Sequence, residues 1–516
     1  MDANFFHAGT YLNLTEVQGD FPSFRGFRTH PNNPFLPGIS TKLDGKTRRR
    51  QLDDIRKRLH DLLDNSISDL GTVFSEILPI EMLQKAQRDV RSRVFPEVVV
   101  FWAWVSQMLE SNSSCADALT RVQNWYDSAG LPVPAFDTSG YCRARKRLSS
   151  EFLDVVEEHS RKYSEERIED HHLWYGFRLK AIDGTSVKLL DTSENQAGYP
   201  QPSGQEKGCG FPVMGVTGVL DLATGRIESH TQGDYREHDA KGLYRLCEHF
   251  GKNDLLIADR AYGSYELMAL LLAGGTHSVM RLHQKREGKV DWRRGKKLGP
   301  DSRLVVWDKP PSPGNCGITE EEWAALPDTM EVRIVRTRGK DRNGRPKWLY
   351  FATTLTDAES YPTEEIALLY AERWKIEVKF RDIKTTMKLE MIRVKKPEMA
   401  RKSLRMAFIA YNLVKALQTG AIAGEPYVMD EIGFKGTLDV IGEFRSQFRD
   451  LARKPRLLVS RQAALGERIR ERVLLIRPGR VEPRATKLRP KPYQYLTKPR
   501  AEFREILHRS HYRAAA

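Results

Sequence analysis

Three carboxylates stand where a charge is hard to accommodate: Asp183 inside the apolar stretch KAIDGTS, Asp259 at the end of LLIAD, and Glu377 within YAERWKIEVKFRDIK. An aspartate in an apolar strand needs a cation or hydrogen-bond donors to offset its charge. Two such strands meeting in one sheet bring their charges together, and a helix packed alongside adds the third. A cluster of this kind repels itself and raises its own pKa values unless a divalent ion sits in it. Oxygen-only ligands select a hard cation, Mg²⁺ or Mn²⁺. Two ions about 4 Å apart activate a water or hydroxyl nucleophile and stabilise the leaving oxygen of an in-line phosphodiester displacement. Taken singly, each acid also reads as a cap, a turn residue or a surface charge; the order Asp, Asp, Glu in a basic chain favours the cluster.

The segment around Glu377 carries a second pattern. At about 100° per residue, Arg373, Glu377 and Lys384 fall at roughly −60°, −20° and −40° from Tyr370, forming one polar stripe. Leu369, Ile376, Phe380, Ile383 and Met387 lie beside it on the apolar face. The stripe is therefore expected at the edge of a core, on one continuous helix.

The wider chain must position these groups. Its 516 residues carry 83 Lys and Arg against 68 Asp and Glu, a net charge of +15 that calls for a polyanionic partner. Residues 453–516 hold 18 Lys or Arg and 5 Glu, so +13 of the excess sits in a Pro-broken tail where Tyr493 and Tyr495 interleave with the basic residues. That composition suits tracking of phosphates. The five cysteines show no C-x-x-C spacing, which excludes a zinc ribbon and a disulfide framework and points to a reducing, cytoplasmic setting. No apolar run of about 20 residues suggests a membrane span. The glycine-rich stretches lack a phosphate-binding G-x-x-x-x-G-K-[ST] loop.

Residues 1–45 read as an extended arm. Residues 46–170 read as helical: QLDDIRKRLHDLLDN, an apolar FPEVVVFWAWVSQML, SSCADALTRVQNWYDSAG with Ser113 or Ser114 as cap, and TSGYCRARKRLS. The last exposes Arg143, Arg145, Lys146 and Arg147 and could form the DNA-contacting helix of a helix-turn-helix. From 171 to 276, strand patterns alternate with helices, as in an α/β domain. Four alternating stretches within 277–356, from HSVMRLHQK to KWLYFATTL, suggest a β-rich insertion. Helical patterning resumes over 357–425, and 426–516 forms the basic C-terminal region.

The spacing Tyr-x2-Arg-x3-Glu-x6-Lys at 370, 373, 377 and 384, together with AIDGTS and IADRAYGS, resembles the signature of DDE transposases of the insertion-sequence-four class, which includes the transposon-five transposase. The resemblance covers about residues 175–425. It implies an RNase H-like core in which Asp183, Asp259 and Glu377 are catalytic and hold two Mg²⁺ ions, with Mn²⁺ as a substitute. It further implies a homodimer acting on double-stranded DNA, both terminal inverted repeats and target, by cut-and-paste through hairpin ends. Tyr370, Arg373 and Lys384 would grip phosphates near the cleaved end, Arg260 likewise, and Arg393 would be a further DNA contact. Trp348, in RPKWLYFATTL, matches the family's base-stacking tryptophan, with Trp292, Trp307 and Trp323 as rivals.

Other constellations have plainer readings. His238 and Asp239 fit a helix start, with Asp239 as cap, and Cys209 in GCGF a small turn residue. Two competing functions share the same features: a non-catalytic DNA-binding regulator that keeps the core as scaffold, and an RNase H-like nuclease that cuts without joining.

Overall fold

The computed structural model describes residues 69–88, 94–110, 112–340, 345–425, 427, 429–448, 451, 454–474, 496–499 and 502–503. The N-terminal arm, the QLDDIRKRLHDLLDN helix and most of the basic tail lie outside the described residues.

The architecture is mixed α/β, built on a ten-stranded sheet in the order β3-β2-β1-β4-β5-β9-β8-β7-β6, with β10 paired to β1. The strands are β1 (Arg178–Leu189), β2 (Val213–Asp221), β3 (Ile227–Asp234), β4 (Asp254–Ala258), β5 (His277–Arg281), β6 (Lys296–Gly299), β7 (Ser302–Asp308), β8 (Thr329–Lys340), β9 (Pro346–Thr353) and β10 (Met391–Ile392). β1, β2 and β3 form an antiparallel meander, while β1, β4 and β5 run parallel. Most of GFRLKAIDGTSVKLLD thus forms one long strand, β1. Gly225, at φ +68°, makes the tight turn between β2 and β3 that LATG signals.

Strand alternation sorts side chains to two faces. Ile182, Leu256 and Ala258 pack with α5 (Asp239–Leu246) and α6 (Tyr265–Ala273). Leu179, Leu255 and Ile257 pack with α7 (Thr363–Ala371), and Ala181 joins the cluster of α8 (Trp374–Arg381) and α9 (Pro397–Ile422). β4 and β5 are joined through α6, a parallel unit whose apolar residues are covered on both faces.

The expected insertion is not a separate sheet. His277–Arg281, read as its first strand, belongs to the core as the parallel neighbour of β4, because LLIAD, α6 and HSVMR make a strand-helix-strand unit. β9 then pairs antiparallel with β5, and β8, β7 and β6 extend the same sheet.

The N-terminal helices α1 (Glu97–Leu109), α2 (Cys115–Ser128), α3 (Ser139–Arg147) and α4 (Ser150–Glu165) likewise share one hydrophobic cluster with β1, β2 and α9. Every residue from Val98 to Val105 on α1 is at most 1 % exposed, as an all-apolar helix requires. Ser114 begins α2 with a capping box to Asp117. The long α9 is held in register by Asn412, which accepts from the Ile227 amide at 3.0 Å and donates to the Ile227 carbonyl at 2.8 Å. Among the described residues no helix is long and apolar enough to cross a membrane, and all five cysteines are free.

The stripe segment departs from one continuous helix. α7 ends at Ala371, α8 begins at Trp374, and a π-helical turn spans Asp382–Thr386. Bonds from the amides of Glu372, Arg373, Lys375 and Ile376 to carbonyls three residues back tighten the junction. The expected apolar face is nonetheless buried: Leu369, Ile376, Phe380, Ile383 and Met387 all lie in the core.

Candidate active site

The two aspartates meet through sheet register. Ala181 pairs with Ile257, and two residues further along each parallel strand stand Asp183 and Asp259, which the alternation directs to the same face. They lie at the carboxyl end of the strands, where α/β sheets open crevices for ligands. Asp183 accepts from the Gly184 amide at 2.8 Å, and Asp259 from the Arg260 amide at 2.7 Å.

α7 and α8 bring the stripe to that edge. The Tyr370 hydroxyl donates to Asp259 at 3.4 Å, while its ring packs on Phe351 of β9 with centroids 4.7 Å apart. Arg373 joins the remaining acids: its guanidinium contacts Glu377 at 2.9 Å and Asp183 at 3.7 Å. Glu377 sits one helical turn after Arg373, the spacing that favours such a pair.

Electrostatics mark the same place. Burial pushes the Asp183 carboxyl up to about 6; Glu377 and Asp239 add to the rise, and Arg373 and the Gly184 amide oppose it. Burial raises the Tyr370 phenol to about 12, with Asp259 contributing. Burial works against the Arg373 charge, yet Tyr370, Glu377 and the aspartates outweigh it and hold its pKa above the ordinary value. A carboxyl lifted this far by burial and like charge is a functional-site signature.

Among the described residues no three His, Cys, Asp or Glu side chains form a ready-made cage around one point. Arg373 occupies the position between Asp183 and Glu377. The donor set that converges there is nonetheless all oxygen, which fits a hard divalent cation and not a soft one.

Lys384 lies beyond α8 on the π turn, which winds more residues per turn than the 100° arithmetic assumes, and it borders a groove of about 300 Å³ with Thr185, Ser186 and Asp239. Burial lowers its pKa, with Glu390 opposing. Lys384 also borders a larger groove of about 880 Å³, shared by Lys188, Lys388 and Arg393, between the N-terminal helices and the core.

Arg260 and Trp348 line a further groove with Lys347 and Tyr350. Trp348 faces Arg338 across the ladder, and the Arg336 guanidinium lies 4.3 Å from its ring. Arg336 also lies 4.1 Å from Trp292, so an arginine is layered between two indoles. Of the other tryptophans, Trp307 is buried beneath Arg286, and Trp323 packs on Tyr265.

On α3, Arg143, Lys146 and Arg147 are exposed, but Arg145 is only 6 % exposed. It sits 4.0 Å from the Trp104 ring, reaches Cys115 and lines the larger groove, so it is not exposed on α3 with its three neighbours. Helical spacing turns position 145 inward, beside Tyr141 and Ala144. Asp239 is also placed differently: the cap of α5 is His238, which accepts from the Ala240 amide at 3.2 Å, and Asp239 is the first helical residue. No motif singles out Tyr262, although it lies in the same DRAYG turn as Asp259.

Residues 174–413 match the family described as Transposase DDE domain. The chain is 26% identical over 361 residues to the transposase InsG for insertion sequence element IS4 of Escherichia coli strain K12, covering 69% of this chain and 77% of that one. It is also 26% identical over 208 residues to the transposase for insertion sequence element IS421 of Escherichia coli, covering 34% and 53%. The solved structure of piggyBac transposase in a synaptic complex with hairpin DNA aligns over 82% of this chain and 87% of that one, at 12% identity and a TM-score of 0.38, too distant to bear on the argument. The matched transposase DDE domain spans both aspartates and the stripe, and the chain is a DNA transposase, an endonuclease and strand transferase, similar to the transposases of the insertion-sequence-four class.

Proposed function

We propose that Asp183, Asp259 and Glu377 are the metal-binding acids of an RNase H-like core, and that this transposase excises its element through hairpin ends. The observation that carries the reading is the register-matched pair Asp183 and Asp259, joined to Glu377 through Arg373. The antiparallel meander followed by two parallel strands supports the RNase H-like assignment. The oxygen donor set supports Mg²⁺, two ions per site, with Mn²⁺ as substitute. When bound, such ions activate an attacking hydroxyl or water and stabilise the departing 3′ oxygen.

The chain's own residues do the rest. The three carboxylates hold the cations, and Tyr370 keeps Asp259 oriented. Arg373, beside Asp183 and Glu377, would hold the phosphate next to the scissile bond, where its planar fork matches the oxygens. Lys384 and Arg393, on the grooves flanking the sheet edge, carry the backbone of the transposon end. Arg260 and Trp348 receive the base that a tight hairpin forces out of the stack. Exposed Arg143, Lys146 and Arg147 contact DNA further along, and a homodimer brings two ends together. In domain terms, residues 46–170 serve end binding, 171–281 and 357–425 the catalytic core, 282–356 the hairpin pocket, and 426–516 dimerisation or DNA binding.

Labelled terminal inverted repeats incubated with the protein and Mg²⁺ test this. Hairpin ends and joined target products are expected; nicked ends alone would leave a nuclease, and binding without cleavage a regulator. Asp183→Ala, Asp259→Ala and Glu377→Ala each abolish cleavage while retaining end binding, and full activity of any one removes it from the metal site.

A further inference from the structure

The sheet edge that carries Asp183 and Asp259 is approached from its second face as well. Asp239 opens α5 on that face, directly over Gly184 of β1. A Cβ at position 184 would lie 2.9 Å from Asp239 Oδ1, so the missing side chain is what admits this carboxylate beside Asp183. Burial pushes the Asp239 carboxyl up, Asp259 adds to the rise, and His238 opposes it. Among the described residues no hydrogen bond or ion pair neutralises the Asp239 carboxylate, although it borders the groove that also holds Lys384.

Tyr262 supplies a second and independent observation. The side chain is 1 % exposed, and its hydroxyl is buried without any hydrogen-bond partner. Asp239, Asp183 and Asp259 are the acids whose charge it feels, in that order. Buried hydroxyls in folded proteins are almost always paired, because an orphaned one costs about 1–3 kcal/mol. This one lies within electrostatic reach of the three acids and bonds to none of them. An acceptor oxygen there would satisfy the phenol, and a cation behind it would satisfy the carboxylates.

We propose that Asp239 and Tyr262 form the second side of the divalent-cation site: Asp239 as a fourth carboxylate facing the ion's hydration shell, and Tyr262 as the donor that fixes a water between them. This rests on the assignment of Asp183 and Asp259 as metal ligands. Both residues are positioning residues, acting on the cation through the water and not on DNA. Groups that orient a metal's surroundings in this way change affinity by about 10- to 100-fold when removed.

Mn²⁺ titration of the full chain without DNA, followed by electron paramagnetic resonance and calorimetry, reads this directly. Asp239→Asn is expected to weaken Mn²⁺ binding about tenfold or more, Asp239→Glu to restore part of the loss, and Tyr262→Phe to weaken binding several-fold. A merely structural acid in the first turn of α5 would instead lower the melting temperature and leave Mn²⁺ affinity unchanged. Tyr262→Phe removes a hydroxyl that bonds to nothing, so its metal-free fold is kept and it carries the test even if Asp239→Asn does not fold. Wild-type Mn²⁺ affinity in Asp239→Asn and Tyr262→Phe, with loss in Asp183→Asn, overturns the proposal and leaves the three-acid site standing. Unchanged Mn²⁺ binding in Asp183→Asn removes the three-acid site and this inference with it.

Discussion

Asp183→Asn should make the metal-free protein more stable at neutral pH while destroying its chemistry. The Asp183 carboxyl titrates near 6 in the folded chain against an ordinary value of 3.8. A rise of that size corresponds to about 3 kcal/mol in favour of the neutral form. Because the folded-state value is the higher, stability associated with this group is fully present below about pH 4 and is lost as pH rises through 6. At pH 7.5 the wild-type chain therefore carries a strained carboxylate, which asparagine replaces at nearly the same shape while still accepting from the Gly184 amide. The Asp183 side chain is 24% exposed and Asn forfeits the attraction of Arg373, so the retained gain is about 1–2 kcal/mol. In a chain of this size that is a rise of about 1–3 °C in melting temperature. Thermal melts followed by circular dichroism at pH 7.5 and pH 4.5, with and without Mn²⁺, provide the assay. The variant should melt higher than wild type at pH 7.5, equal to it at pH 4.5, and lower once Mn²⁺ is added, since only wild type then gains binding energy. A variant that melts lower than wild type at pH 7.5 without metal would refute the reasoning, because Asp183 would then be a satisfied structural acid.

Asp430→Asn should destabilise by about 2–4 kcal/mol, since Asp430 pairs with Lys375 at 2.6 Å and Lys379 at 2.7 Å and its loss would leave the buried Lys379 ammonium without its carboxylate and Lys375 with Glu372 alone; denaturant unfolding measures it. Arg145→Ala should lower stability by a similar amount through lost packing on Trp104 with no change in the salt dependence of DNA binding, whereas Arg143→Ala and Lys146→Ala should each reduce the salt slope by about one; titrations at several salt concentrations separate the two outcomes. Trp348→Ala should reduce hairpin formation about tenfold or more and first nicking far less, read on gels that resolve the two products, since base stacking contributes about 1–3 kcal/mol.

The acids were legible because their types conflict with their surroundings: a charge inside KAIDGTS or at the end of LLIAD has no local explanation. Their convergence rests on register, Ala181 against Ile257, which no local pattern encodes. The stripe was legible as composition but not as shape. Tyr370, Arg373 and Glu377 do cluster, yet through a helix junction, and Lys384 follows on a π turn. Periodicity arithmetic assumes uniform winding, and the segment is wound in three ways. The insertion strands were readable one by one, but their merger with the core sheet depends on the β5 to β9 pairing across about 70 intervening residues. Arg145 misled because a basic run looks solvated, while a guanidinium can also lie flat on a buried indole. The DAKG sequence suits Asp239 as a cap, but His238 performs that task and leaves the acid to face the sheet.

That shared β9 strand acts as a ruler. Phe351 pairs with Arg281 and stacks on Tyr370, which reaches Asp259, while Trp348 stands three residues earlier on the same strand, roughly 10 Å away along an extended backbone. Under the proposed roles of Asp259 and Trp348, the spacing between a cut phosphate and an extruded base would be written into covalent bonds and ladder pairing instead of a hinge. Adding one residue between Trp348 and Phe351 would turn the indole to the opposite face of the sheet. Restoring it would take a second addition, and the two together would lengthen the span by about 7 Å, roughly two base rises of duplex DNA.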